Sequence, residues 1–230
     1  MLTINHFAGA TAQGVVTEEN KNMEADWNND TLGRRVENAL ASFDNTVPEQ
    51  AFKRYVEYMD NLLAGKNVNK HWLIYSSMLS DIKTVCPLQD MAANLEKHFS
   101  AKVYSYVATQ KRNKLDNIAD STSDIEAIFD LYQIDDDYQK LANKEDAENN
   151  DANKEALIAG AKLAAEQSSF VENIQNMFYT FVSTGRLPQG KDVSQGMYTV
   201  NSQVTGHANY ENCDFWKSTK NIFPTYANLD

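Results

Sequence analysis

Few side chains in this 230-residue sequence combine the type and spacing that chemistry needs. The stretch Asp120–Leu131, DSTSDIEAIFDL, gathers Asp120, Ser121, Ser123 and Asp124 just ahead of an apolar segment. A serine becomes a nucleophile only when an adjacent base takes its proton during attack. The histidines are His6, His71, His98 and His207, so no imidazole stands between positions 98 and 207. The same polar residues are good helix starters. Asp120, Ser121 and Ser123 are N-cap types, and Asp124 follows Ser121 by three, as in a loose capping box. Ile125, Ile128, Phe129 and Tyr132 then fall on one helical face, the expected core side.

Other candidate groups are scattered. Cys86 and Cys213 lie far apart and neither belongs to a CxxC pair, which leaves zinc and thioredoxin-type chemistry without support. They are either two buried thiols or a disulfide worth about 4–5 kcal/mol in chain entropy, which would require an oxidising compartment. Asn29-Asp30-Thr31 is an N-glycosylation sequon, meaningful only in a secreted protein. Asp135–Asp137 lacks the glycine and terminal glutamate of a calcium loop, and reads as solvated charge. No metal site and no cofactor is expected. A net charge of −11 and a pI near 4.8 argue against nucleic acid, since phosphate binding needs a basic face. Lys111, Arg112 and Lys114 form the one compact basic cluster. No apolar run approaches the roughly 20 residues of a membrane span, and no signal peptide opens the sequence.

The elements that must position these groups are mostly helical. MLTINHFAG reads as a buried strand entering a loop. Asp26 to Phe43 predicts one irregular helix. Pro48 starts another, with Phe52, Tyr55, Val56, Met59, Leu62 and Leu63 at helical spacing and Gly65 as its stop. Trp72, Tyr75, Leu79, Ile82 and Val85 predict a helical stripe that Pro87 breaks, opening a helix with Leu88, Met91, Ala92, Leu95 and Phe99. Val103 to Ala108 is apolar or aromatic on both faces, the mark of a central parallel strand. Asp135 to Asn153 is an acidic, Asn-rich surface segment. Leu157, Ala161, Ala164, Val171, Ile174, Phe178, Phe181 and Val182 then predict a helix interrupted at Ser168-Ser169 and ended by Thr184-Gly185. The tail reads as loop until Asp214, Phe215, Trp216 and Ile222 suggest a last short helix.

Five blocks in order carry a resemblance: SDIKTVCPLQDMAANL, KVYSYVAT, DIEAIFDL, NMFYTFVSTGRLP and ENCDFW. Together they resemble the second half of the type-B carboxylesterases and cholinesterases, over roughly residues 76–217, with a weaker match at the N-terminal TIN…G. The resemblance implies the C-terminal part of an α/β-hydrolase fold: helix-rich, with a few strands of a mostly parallel central sheet. Residues 1–230 would then be one portion of such a domain, completed by an N-terminal half on another chain or segment.

That family carries a Ser–acid–His triad in chain order, with the serine in a G-x-S-x-G elbow. No such pentapeptide exists here. The family's acid segment, N-x-x-E-G, matches Asn5–Gly9 and puts Ala8 at the carboxylate. Its histidine, which precedes a D/E-I/L-x-x-x-F-G segment, falls at or near Ser121. Neither Ala8 nor Ser121 can act as base or orienting acid at neutral pH. Two departures stand beside the match: Asp130 replaces the glycine after the helix phenylalanine, and Tyr179 replaces a common tryptophan.

The family's Cys-Pro and Cys-x-Phe-Trp motifs match Cys86-Pro87 and Cys213–Trp216, which implies a Cys86–Cys213 disulfide, an exported protein, and a glycan at Asn29. The function implied is a non-catalytic, esterase-like component with a binding, adhesion or structural role in a secreted or extracellular setting. Part of a carboxylic ester hydrolase, its serine in a missing half, is the alternative. The first strand and Val103–Ala108 would pair with strands encoded upstream, so the chain is expected to associate with that half or in a homo- or hetero-oligomer, and to be unstable alone.

Overall fold

The computed structural model describes residues 2–5, 27–62, 70–98, 102–110, 119, 122–134, 151–188, 197–207, 212–219 and 222. In chain order the elements are β1 (Leu2–Asn5), α1 (Asn29–Ala39), α2 (Thr46–Leu62), α3 (Lys70–Ser80), a π turn (Asp81–Val85), α4 (Cys86–His98) and β2 (Ser105–Ala108). They continue as α5 (Ser123–Ile128), α6 (Asp151–Thr184), β3 (Met197–Val200), β4 (Val204–His207) and α7 (Cys213–Ser218). The fold is helix-rich with a small mixed sheet, broadly α/β. Two compact units divide it: unit 1 is Met1–Asn5 with Ala92–Asn209, and unit 2 is His6–Met91 with Tyr210–Asp230.

Unit 1 is built on a sheet of order β1-β2-β3-β4, parallel across its first three strands and antiparallel at β3–β4. All four residues of β2 are buried, as the two-faced apolar run requires. Both neighbours of β2 come from this chain, so the expectation that it pairs with an upstream strand is corrected. The tail read as loop instead forms the β3–β4 hairpin. Its turn is an Asx type, with the Gln203 N–H donating to Asn201 Oδ1 at 2.8 Å. Strands of four residues leave too short an alternation to be seen in sequence.

On this sheet, Tyr106, Ala108, Tyr198 and Val200 pack with Phe170, Ile174 and Met177 of α6 and Ala127 and Ile128 of α5. Helix α6 runs unbroken through Ser168, whose Oγ donates back to the Ala164 carbonyl at 3.0 Å, so the expected interruption is absent. Ala161 and Val182, expected in its core stripe, are exposed. Gly185, at φ +69°, ends the helix in the left-handed region, with its N–H on Phe181 O at 2.7 Å.

The face of α5 also differs from expectation. Ile128 and Tyr132 are buried, but Ile125 (53%) and Phe129 (65%) are exposed. Helical periodicity stops at Ile128, because Phe129 is the C-cap and Asp130 turns the chain at φ +59°. The cap at the other end is Thr122, not Ser121, which lies outside the described residues.

In unit 2, α1 buries Leu32 and Val36. Helix α2 buries Ala51, Tyr55 and Met59, while α3 is buried on all sides from Trp72 to Ser80 rather than along one stripe. Pro87 does not break the helical path. The Cys86 N–H reaches back to Asp81 O, five residues away, and this widened turn carries the chain past a proline that cannot donate.

Asp130 holds the one described non-glycine positive φ, at the position where the esterase resemblance expects glycine. Removing its Cβ relieves left-handed strain, so Asp130→Gly should stabilise unit 1 by about 0.5–1 kcal/mol, while Asp130→Val should destabilise it by about 1–2 kcal/mol. Thermal unfolding of the two variants beside the parent checks the pair.

Candidate functional site

Open parallel sheets place ligands at the carboxyl ends of their strands. At the exit of β2 stand Thr109 and Gln110, and at the exit of β3 stands Asn201. The Thr109 N–H donates to Val200 O at 2.9 Å, extending the pairing by one step. Asn201 Nδ2 donates to Thr109 Oγ1 at 3.4 Å, and Asn173 Nδ2 to Asn201 O at 3.2 Å. These groups are neutral hydroxyls and amides. They can orient a polar partner, but none takes a proton at neutral pH.

Ahead of α5, Thr122 Oγ1 donates to Glu126 Oε1 at 3.0 Å. Asp124 turns inward and accepts from the Tyr106 hydroxyl at 3.0 Å in a buried setting. The Asp124 carboxylate is therefore tied to a strand tyrosine in the core. The sequence missed this pairing because Asp124 reads as a capping residue. Ser121 and Ala8, the positions matched to the triad histidine and acid, lie outside the described residues, as do His6, the Lys111–Lys114 cluster and Asp135–Asp137. His98 ends α4 in an exposed position, and His207 is the last residue of β4 rather than part of a loop.

His71 lies in the first turn of α3, and its Nε2 donates to Asn29 Oδ1 at 3.0 Å. Burial holds this imidazole below its ordinary value of 6.5, Lys70 beside it pushes the same way, and Asp60 pulls back. Lys70 itself meets Asp60 at 2.6 Å.

Among the described residues, unit 2 holds a polar cluster of several linked side chains. The Tyr55 hydroxyl donates to Asp81 Oδ2 at 2.5 Å, and Trp216 Nε1 donates to Tyr55 Oη at 2.7 Å. Asn212 Nδ2 reaches the same Asp81 oxygen at 3.3 Å, and Arg54 Nε donates to Asn212 Oδ1 at 3.0 Å. The Arg54 guanidinium also lies over the Phe215 ring, 5.7 Å from its centroid. Beside this cluster Cys86 and Cys213 form a disulfide with Cα atoms 5.0 Å apart, the pair implied by the esterase resemblance. Together these contacts hold α7 to the π turn and to α2. Sequence reasoning found the cysteines but not the network, although Asp81 and Asn212 flank them closely enough to have signalled it.

No family model matches the chain. The chain is similar to Neurotactin of Drosophila melanogaster, 25% identical over 226 residues. The match covers 96% of this chain and 20% of that protein, so the chain spans about a fifth of its curated relative. This similarity is consistent with a cholinesterase-like family. Among the described residues no helix is long and apolar enough to cross a membrane.

Two outcomes follow from this geometry. Tyr55→Phe leaves Trp216 Nε1 without its acceptor and takes one donor from Asp81, so it should cost about 2–4 kcal/mol, and its effect combined with Trp216→Phe should fall short of additive. Urea unfolding of the single and double variants measures both. The His71 contribution has a defined pH direction. The folded state binds this proton less readily than the unfolded chain, so the contribution is complete above about pH 6.5 and is lost as pH falls through the lowered folded value. His71→Gln should flatten that part of the stability profile between pH 7.5 and 5. Melting temperatures across the window check it.

Proposed function

We propose that the chain is the C-terminal portion of a non-catalytic protein of α/β-hydrolase type, working by binding or adhesion in an extracellular or secreted setting. The carrying observation is the missing imidazole. The positive φ at Asp130 sits where the esterase pattern has its glycine, which supports the register of the D-I-x-x-x-F segment on α5. In that register the base position falls at or near Ser121, and no histidine occurs from 99 to 206 to correct for a small shift. Without a base a serine supplied from elsewhere keeps its proton and remains a poor nucleophile. The similarity to Neurotactin is compatible with a cholinesterase-like framework.

The proposal includes a partner that completes the sheet, either an N-terminal half of the same polypeptide or a second chain. Among the described residues β1 has a neighbour on one side, and parallel strands are stable when buried. Helix α5 packs against β1 and exposes Ile125, Phe129 and, just beyond, Leu131 (68%). An open parallel edge beside exposed large apolar side chains favours association.

The complete protein should neither turn over p-nitrophenyl acetate above the buffer rate nor take up an organophosphate covalently, while still retaining a specific extracellular protein on an affinity support. One phosphorylated serine per chain would overturn the non-catalytic assignment. By size exclusion the isolated 230-residue chain should self-associate, and Phe129→Ser with Leu131→Ser should reduce that. A stable, compact monomer would contradict the partner requirement.

A further inference from the structure

We propose that Asn29 carries an N-linked glycan, an inference that rests on the extracellular setting proposed above. Asn29-Asp30-Thr31 is the single Asn-x-Ser/Thr sequon in the sequence. Asn29 is the first residue of α1 and is exposed. A residue at a helix start is normally drawn into capping, but here the preceding residue does that work. Asn28 is the N-cap, and its Oδ1 accepts the Thr31 N–H at 2.9 Å. The Asn29 amide is therefore spared. Its Oδ1 accepts from His71 Nε2 at 3.0 Å, and among the described residues its Nδ2 meets no acceptor.

That division of the amide matters, because a glycan bonds to nitrogen and leaves the oxygen unchanged. The donor is a lipid-diphosphate-linked oligosaccharide. The bond from its anomeric carbon to the diphosphate oxygen breaks, a bond from the same carbon to Nδ2 forms, one amide proton leaves to a base, and the lipid diphosphate departs. Transfer acts on the sequon before the helix forms. The finished fold has only to leave Nδ2 open, and the His71 contact to Oδ1 survives with the glycan in place. A glycan here also marks the start of α1 as a solvent face rather than a protein contact.

The test expresses the complete protein in eukaryotic secretory cells and treats it with a peptide-N-glycosidase in heavy-oxygen water. Position 29 should be recovered as labelled aspartate, at one site per chain. Asn29→Gln and Thr31→Ala should abolish the label and Thr31→Ser should keep it, with the Cys86–Cys213 bond formed throughout. The glycosidase product carries a carboxylate against His71, so by NMR the imidazole should titrate at higher pH than before treatment. Trimming the glycan within its sugars, which keeps the amide, should leave that titration in place. An unmodified Asn29 in a secreted, disulfide-linked chain overturns this inference alone. A chain kept in the cytosol with free thiols overturns the extracellular setting, and this inference with it.

Discussion

A carboxylate taken out of water must be surrounded by donors, and Asp81 makes that demand on unit 2. Its donors come from distant parts of the chain: Tyr55 on α2 and Asn212 at the start of α7, with Trp216 holding the tyrosine in turn. The π turn that begins at Asp81 ends one residue before Cys86, and Asn212 immediately precedes Cys213. The covalent link and the polar network therefore reinforce the same junction. The disulfide limits how far α7 can depart in the unfolded chain, while the hydrogen bonds select its arrangement once it returns. Packing alone would leave a helix as short as α7 with little to specify its position.

Unit 1 answers a different demand. A strand buried on both faces requires cover on each, and β2 is such a strand. Helix α6 supplies much of it through Phe170, Ile174 and Met177. It also holds α5 by polar contacts, with Gln175 donating to Ala127 O at 2.9 Å and Tyr179 to Ile128 O at 2.8 Å. The bond between Tyr106 and Asp124 then fixes the rotation of α5. With the carboxylate turned in, Ile125 is turned out, so a polar contact in the core and an apolar surface outside are two aspects of one orientation.

Long periodic segments were legible from sequence, and so was the central strand. Ala164 and Ile174 on α6 and Tyr55 and Met59 on α2 follow from side-chain spacing, and the stop at Gly185 from its backbone freedom, whereas Ala161 and Val182 do not follow the expected stripe. Where the reading failed, local letters opposed the tertiary setting. Ser76, Ser77, Ser80 and Asp81 look like solvent positions, yet all are buried, because α3 is covered on every side. Pro87 looks like a break, but the π turn absorbs it. The β3–β4 hairpin is too short for its alternation to register. At the candidate site the cysteine pair could be recognised by resemblance, whereas the Tyr106–Asp124 contact joins residues on separate elements and depends on a helix rotation that no local pattern records.

In the proposed non-catalytic reading, the absence of a base weighs more than the absence of an acid. In a triad the imidazole takes the proton from the nucleophile, while the acid orients and stabilises that imidazole. An acid can be replaced by another oriented group at some cost in rate, but nothing among the neutral amides and hydroxyls at the β2 and β3 exits can accept the serine proton. A one- or two-residue error in aligning Ser121 does not repair this, because the nearest histidines in sequence are His98 and His207. Each of those belongs to another element, at the end of α4 or of β4. A functional base would therefore have to be built at a new place, together with its own orienting partner and a matching oxyanion site. Retaining the sheet, the disulfide junction and an apolar face requires none of that. These features suffice for recognition, which depends on complementary shape and buried area rather than on a proton acceptor near neutral pH.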